Sequence, residues 1–381
     1  MRGAPVEVLS AMSSAQQARL GHAKVSLPLL FWEWFKIALF VVGGGYAIIV
    51  VADEVFGRKK KWIGEGELIG SLPIISSIPG LIAGNSAIYV GLKIRGRIGA
   101  TVALAGAALP SILIFLCVTI GFSAIPRGNI WIDGVFLGLR SALSGLIAGT
   151  MWRTLFKSRA NWSNSIGVRL APLSRKGKIG AFVAFSLFAF VSLVFARESF
   201  FSFLEFGCIA IGGGFPLVPF YLHAFVGPNA AMLNMDPVDF SNAMALTQMT
   251  PGPVSLNAAT FFGYRLNGVI GSLVASVSLL IPSYFMLSAV LGSIDRLRGN
   301  KAIRGFLLLL KPVSVLLLAI ALWNFCSISI WNRVEGGGVE FRPHALALAV
   351  FSAVMLLSRR MPIMLTIFIC AALGAVSVAV M

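Results

Sequence analysis

The chain has 381 residues, of which 57% are hydrophobic and 12% are charged, and its mean hydropathy is +0.89. Soluble domains carry about 25% charged residues, so this composition excludes a soluble globular protein and predicts a polytopic helical membrane protein. The net charge of +17 arises from 31 basic and 14 acidic residues. We attribute this charge to basic loops that follow the positive-inside rule rather than to nucleic-acid binding.

Apolar segments divide the chain into a tail and two halves. The polar residues 1–26 are interpreted as a cytoplasmic tail. The first half, 27–196, has apolar segments at 27–52, 67–92, 98–122, 130–153 and 179–196, with a strongly basic loop at 157–178. The second half, 197–381, has segments at 200–226, 239–264, 268–292, 302–325, 343–357 and 361–381.

Helix breakers recur at matching places in the two halves. Two glycine triplets, at 43–45 and 212–214, are 169 residues apart, and two Pro-Gly turns, at 79–80 and 251–252, are 172 apart. The same offset of 172 relates further pairs: Asn85 and Asn257, Gly91 and Gly263, Gly96 and Gly268, Gly99 and Gly271, Pro110 and Pro282, Ser111 and Ser283. So constant an offset indicates a duplication. Because the first half has five segments, we expect inverted repeats, as in many secondary transporters.

The breakers also bear on topology. If every segment spans the membrane, the basic cluster at 58–61 falls on the less positive side, against the positive-inside rule. Turns at the glycine triplet and at Pro79-Gly80 would move that cluster to the other side. The arms around Pro79-Gly80 are also only about 12 residues long, whereas a span needs roughly 20. We therefore expect an all-α fold with broken or re-entrant helices at the triplets and the Pro-Gly turns.

Unwound backbone at membrane depth occurs where it is buried in protein or lines a wet cavity. Glycine triplets let a ligand approach the bare backbone, and successive N–H groups suit an anion, although small residues also serve close helix packing. The two asparagines need partners in hydrocarbon, so they either join helices or contact substrate. The candidate substrate-binding residues at the breakers are Gly43, Gly44, Gly45, Pro79, Gly80, Asn85, Gly212, Gly213, Gly214, Thr250, Pro251, Gly252, Pro253 and Asn257.

Charged residues inside the apolar segments are also candidates. Lys36 and Glu205 occupy the same place in the two halves, seven residues before each triplet. They are expected to pair across the repeat interface or to line the path, while the alternative for Lys36 is a side chain that reaches the membrane surface. Glu205 is the candidate for ion coupling, and Arg265 is a candidate for holding the anion.

Two motifs resemble the chromate ion transporter family. The first comprises the triplet and Tyr46, then Asp53, Glu54, the basic cluster, Trp62, Glu65 and Glu67; the second comprises Thr250, Pro251, Gly252, Pro253, Asn257, Thr260, Phe261, Gly263, Tyr264 and Arg265. The resemblance covers both halves and implies a two-domain member that moves chromate or a sulfate-like dianion outward. Leu81 stands where the motif has its second proline, and Glu205 stands where the family has a basic residue.

Two other function classes were weighed. A passive anion channel is the closer alternative, although two breakers per half favour alternating access. A membrane-embedded enzyme is less favoured, because the chain has no H-E-x-x-H motif or comparable constellation. No metal site, cofactor or ATP-binding loop is predicted. The expected partners are the oxyanion and the lipid bilayer of the inner membrane, with the N-terminus cytoplasmic, no nucleic acid, and a homodimer left open.

Overall fold

The computed structural model describes residues 25–41, 44–123, 128–156, 186–210, 214–292, 301–333, 339–358 and 360–380. Most of the predicted tail, the basic loop, Gly43, Gly212 and Gly213 lie outside these ranges. The helices of the first half are α1 (Leu27–Phe40), α2 (Gly44–Ala52) with a π-helical continuation (Asp53–Lys59), α3 (Glu67–Gly70), α4 (Leu72–Ser77), α5 (Ile82–Ser123) and α6 (Ile130–Phe156).

The helices after the basic loop are α7 (Ser186–Phe195), α8 (Arg197–Ile209), a short 3-10 helix (Phe215–Leu217), α9 (Val218–Phe225), α10 (Pro237–Met249), α11 (Val254–Gly292), α12 (Lys301–Ser329), α13 (Pro343–Ser358) and α14 (Ile363–Val380). The chain bends by 119° between α7 and α8, beside the predicted boundary of the halves. Among the described residues, four helices are long and apolar enough to cross a membrane, or five if α7 and α8 form one span. The protein is an all-α polytopic membrane protein, as the composition predicts.

Helices break at the predicted breakers. The helix α1 ends at Phe40, three residues before the first triplet, and α8 ends at Ile209 before the second. The Pro-Gly turns separate α4 from α5 and α10 from α11. The prediction of broken helices is therefore confirmed at the Pro-Gly turns, since proline cannot donate to a helix and both turn glycines have positive φ. Of the triplets, Gly44 and Gly45 are helical, while Gly43, Gly212 and Gly213 lie outside the described residues.

The long helices α5 and α11 are each helical hairpins. The backbone leaves helical geometry at Arg95-Gly96 in α5 and at Asn267-Gly268 in α11, and the two glycines have nearly the same φ, 62° and 61°. The first arm of α5, at 82–94, has 13 residues and is about 20 Å long. This arm is too short to cross a hydrocarbon core of about 30 Å. Each Pro-Gly turn is therefore separated from a tight hairpin bend by one short arm.

Glycine pairs allow the arms of each hairpin to touch. A Cβ atom on Gly91 would lie 2.4 Å from the carbonyl oxygen of Gly99, and one on Gly263 would lie 2.4 Å from that of Gly271. Both pairs follow the duplication, so the same backbone contact closes both hairpins. Glycine is required at these positions because the two arms pack closely, and not because the backbone has a positive φ angle.

Equivalent helices of the two halves pack on the hairpins in the same way. The helix α1 packs against α5, and α8 packs against α11. The hairpins α5 and α11 also pack against each other, so the halves meet along them. The helix α6 is buried through most of its middle and contacts α12, α13 and α14. The core thus joins residues from both halves.

A small sheet departs from the all-α expectation. Strands β1 (Trp331–Arg333) and β2 (Val339–Phe341) form an antiparallel hairpin between α12 and α13. Trp331 and Phe341 are opposite each other, with ring centroids 6.2 Å apart. Aromatic cross-strand pairs stabilise such hairpins, and this one was missed because it lies in a short connection between membrane segments.

Candidate functional site

The two Pro-Gly turns are bridged by the predicted asparagines in the same manner. The side-chain amide of Asn85 donates to the carbonyl oxygens of Ile75 (3.0 Å) and Ile78 (3.1 Å). The amide of Asn257 donates to the carbonyl oxygen of Thr247 (3.1 Å) and to Thr250 Oγ1 (2.8 Å). Each asparagine thus satisfies groups that the preceding helix leaves without partners where it ends.

Each turn is completed by a serine from the other half. A Cβ atom on Gly80 would lie 1.7 Å from Ser283 Oγ, and one on Gly252 would lie 1.8 Å from Ser111 Oγ. The turn glycines have φ values of 125° and 113°, in the region that favours glycine. We call Gly80, Asn85 and Ser283 the first turn cluster, and Gly252, Asn257 and Ser111 the second. The clusters are reciprocal, because each half supplies the turn of one and the serine of the other.

Within the part of the chain that the structure describes, several buried polar atoms of the turn clusters have no hydrogen-bond partner. These atoms are Ser111 Oγ, Ser283 Oγ, Asn85 Oδ1 and Asn257 Oδ1, and Ser255 Oγ beside the second turn is a fifth. All five residues are at most 1% exposed. A buried polar group without a partner costs about 1–3 kcal/mol. Their concentration at two equivalent places makes the turn clusters the candidate binding site, because buried polar groups normally have partners.

Ala210 and Gly214, on either side of residues 211–213, each contact one of the two turns. The Gly80 N–H donates to the carbonyl oxygen of Ala210 (2.5 Å), at the end of α8. Gly214 packs on the start of α11, where its Cβ would lie 2.8 Å from Ser255 Oγ and 2.9 Å from Ser255 N. Ala210, two residues before the triplet, therefore contacts the turn of the first half, and Gly214 contacts that of the second. Of the first triplet, Gly44 and Gly45 are the first two residues of α2.

Lys36 and Glu205, two of the three predicted charged residues, lie outside the turn clusters. Lys36 donates to Glu33 Oε1 at 2.8 Å, within its own helix, and that same oxygen is 3.2 Å from Lys60 Nζ. Glu205 is exposed and makes no ion pair within the described part of the chain. The expected Lys36–Glu205 pairing across the repeats is therefore absent among the described residues, because the buried carboxylate of Glu33 is a nearer partner for Lys36.

Arg265 is exposed at the far end of the first arm of α11, beside the Asn267-Gly268 bend. It follows Pro253 by 12 residues, or about 18 Å of helix, so it does not contact the second turn. Its equivalent, Lys93, instead forms an ion pair with Glu67 Oε1, which also accepts from Tyr89 Oη at 2.5 Å. The ends of these arms therefore carry an exposed cation, Arg265, in one half and a locally paired cation, Lys93, in the other.

Acidic residues of the first motif organise the connection between α2 and α4. The buried carboxylate of Asp53 accepts from the N–H groups of Gly66 (3.0 Å) and Leu68 (2.9 Å), at the start of α3. Glu67 Oε2 accepts from Gly64 N at 2.8 Å. These contacts indicate a structural role, in which carboxylates hold a short helix at its positive end.

Sequence reasoning missed the two serines as site residues. Ser111 and Ser283 were recognised only as one more pair at the offset of 172. A serine directly after proline in both halves (Pro110 and Pro282) was the available signal. Their contact with the opposite turn depends on how the hairpins pack, which the spacing alone does not reveal.

The duplicated helical architecture, with a pair of broken-helix sites shared between the halves, defines a membrane transport protein. The sequence profile of the chromate transporter family matches residues 29–198 and again 197–375. The chain therefore belongs to the chromate transporter family, as a member with two repeats.

Several named relatives are similar to this chain. An uncharacterised transporter of Methanocaldococcus jannaschii is 28% identical, covering 80% of this chain and 85% of the relative. Chromate transport proteins of Cupriavidus metallidurans and Pseudomonas aeruginosa are 25% and 23% identical. They cover 80% and 74% of this chain, and 88% and 77% of their own lengths. No solved structure matches the chain.

Proposed function

We propose that the protein is a secondary transporter that moves an inorganic oxyanion, chromate or a sulfate-like dianion, out of the cell through the turn clusters. The observation that carries this proposal is the pair of buried serine hydroxyls, Ser111 and Ser283, each without a partner and each against bare glycine backbone of the opposite half. A hydroxyl donates one hydrogen, and an oxyanion offers acceptors in several directions. Chromate is the first candidate because named relatives transport it.

Helix ends support an anion at these clusters. The helix α5 begins at Ile82 and α11 begins at Val254, each two residues after its turn glycine. The positive ends of both helices therefore lie beside the turns, and helix N-termini stabilise anions. Lys36 and Arg265 lie elsewhere, so the anion would be held by neutral donors and helix ends. Broken helices that meet at a midplane site are typical of secondary transporters.

Two further elements of the proposal concern coupling and orientation. Glu205 on α8 is five residues before Ala210, the residue that contacts the first turn. We retain it as the coupling residue, protonated in one access state. We place the protein in the inner membrane with its N-terminus in the cytoplasm, because the basic loops follow the positive-inside rule in that orientation.

Counterflow in proteoliposomes tests the function. Vesicles loaded with chromate, sulfate, molybdate or phosphate are assayed for exchange of labelled sulfate or chromate across the membrane. We expect saturable exchange of at least one dianion. The apparent affinity for that dianion should fall about tenfold or more in Ser111→Ala and in Ser283→Ala, since a hydrogen bond to a charged group contributes about 1.5–3 kcal/mol. The matched control is Ser141→Ala, a buried serine on α6 that donates to the carbonyl oxygen of Leu137 in its own helix.

The outcomes separate the function classes. Exchange that saturates and responds to a counter-gradient supports the carrier. Flux that stays linear with concentration and shows no counterflow would identify a channel. Full exchange by the double variant S111A/S283A would reject the turn clusters as the site. Everted and right-side-out vesicles then give the direction.

A further inference from the structure

A second polar cavity lies away from the turn clusters. It has a volume of about 400 Å³ and is bounded by α6, β2 with the residues after it, the start of α13 and the end of α14. Its polar lining residues are Asp133, Arg140, Glu340, Arg342 and His344. Asp133 and Glu340 are exposed, so the cavity opens to the surface on their side.

Arg140 forms the inner end of this cavity. It is 6% exposed, and its Nε has no hydrogen-bond partner. No carboxylate in the described part of the chain lies within ion-pair distance of it, and no described residue accepts a hydrogen bond from its side chain. Asp133 and Arg140 are seven residues apart on one face of α6, so Arg140 lies about 10 Å further along the helix than the exposed Asp133. Asp133 and Asp236 attract this guanidinium electrostatically from beyond ion-pair distance, so the charge of Arg140 is only partly compensated for its lost hydration.

Further basic groups point into the same cavity. Arg342 lies at the rim, where Nη2 is 3.7 Å from Oε2 of the exposed Glu340. The Arg342 guanidinium repels that of Arg140 electrostatically, and an anion between them would relieve this repulsion. His344 Nδ1 is buried and has no partner. The guanidinium fork of arginine matches two oxygens of a carboxylate, sulfate or phosphate group.

We infer that this cavity, with Arg140 at its inner end and Arg342 at its rim, is a second oxyanion-binding site, distinct from the turn clusters. Its distance from them follows from α10. Asp236, which interacts electrostatically with Arg140, caps the start of α10, and α10 ends at Met249, next to the second turn. These 13 residues correspond to about 20 Å of helix. The ligand is a group with at least two exposed oxygens, from a free inorganic anion or from the headgroup of an anionic lipid.

Binding stoichiometry in detergent tests this inference. Purified full-length protein is titrated with sulfate and, separately, with a short-chain phosphatidylglycerol. For the probe that binds, Arg140→Gln should lose one binding site per chain or weaken it at least tenfold, while S111A/S283A keeps that site. Arg342→Gln, at the rim, should weaken the same site severalfold. The matched control is Arg360→Gln, an exposed arginine between α13 and α14, which should bind as the wild type does.

Thermal stability provides a second readout. Without anion, Arg140→Gln should unfold at the same or a higher temperature than the wild type, because it removes a buried charge that has no ion pair in the described part of the chain. Should Arg140→Gln fail to fold, Arg342→Gln carries the binding test alone. Sulfate binding lost in the arginine variants identifies a free-anion site, and lipid binding lost in them identifies a headgroup site. The inference is overturned if Arg140→Gln and Arg342→Gln bind both sulfate and the lipid as the wild type and Arg360→Gln do. The cavity would then hold only water.

Discussion

The reciprocal contact between each turn and the opposite hairpin makes a quantitative prediction. In Gly80→Ala, the new Cβ would lie 1.7 Å from Ser283 Oγ, at a φ of 125°. Backbone strain of this kind costs about 1–3 kcal/mol, and overpacking costs a further 1–3 kcal/mol or so. We expect the melting temperature of Gly80→Ala in detergent to fall by roughly 4 °C or more.

A double-mutant cycle separates these two contributions. Ser283→Gly alone should cost about 0.5–1 kcal/mol through the weaker helix, and removal of a buried hydroxyl without a partner should offset this cost. In Gly80→Ala with Ser283→Gly the steric overlap disappears, so about 1–3 kcal/mol should be recovered and only the backbone strain should remain. By the duplication, Gly252→Ala should be rescued in the same way by Ser111→Gly.

The crossed pair is the control for this cycle. Ser111→Gly should not rescue Gly80→Ala, because the serine that contacts Gly80 is Ser283. Differential scanning fluorimetry of the four single variants, the two matched pairs and the crossed pair measures the coupling. Rescue by the wrong serine, or no rescue by the matched one, would refute the reciprocal arrangement of the clusters.

Three other expectations follow from the structure. Gly91→Ala should prevent the hairpin of α5 from closing, with loss of folded protein. Gly121→Ala on the same helix is the control and should be neutral, because no atom of the described residues lies near its Cβ. The monodispersity of each variant on size-exclusion chromatography measures both effects. In proteoliposomes, the pH dependence of exchange should be lost in Glu205→Gln, and an unchanged dependence removes Glu205 from the coupling role. Arg58→Cys, at an exposed position in a cysteine-free background, should react with an impermeant maleimide added on the cytoplasmic side. If the cysteine reacts only with maleimide added outside, the first segments are not re-entrant.

Much of the architecture was accessible from the sequence, because helix breakers act locally. Proline removes a backbone donor wherever it stands, so Pro79 and Pro251 end their helices in the structure as predicted. The bend at Gly96 lies in the gap between the predicted segments 67–92 and 98–122, and the bend at Gly268 lies at the start of the predicted segment 268–292. The duplication then extended each local prediction to its equivalent in the other half.

The partners of individual side chains were harder to predict. Lys36 was paired with Glu205 on the basis of equivalent positions, yet Glu33 lies one helical turn away and takes the ion pair. Ser283 contacts Gly80, 203 positions away, and Ser111 contacts Gly252, 141 positions away. Sequence spacing does not determine such contacts. Arg140 lies within the apolar segment 130–153, but its cavity is formed by three other elements that only packing brings together.

The turn clusters also explain why the chain needs both of its repeats. The first half contributes Gly80, Asn85 and Ser111, but its own serine completes the turn of the second half. Separation of the halves would leave each turn without its opposing serine and each serine hydroxyl without its glycine surface. A single repeat therefore cannot complete a turn cluster by itself, and a transporter built from one repeat per chain would have to form the site between two chains. In this protein the covalent link between the repeats makes their pairing intramolecular and so removes the free-energy cost of bringing two chains together. The link also lets the sequences of the two clusters diverge, as they have at the equivalent positions Leu81 and Pro253.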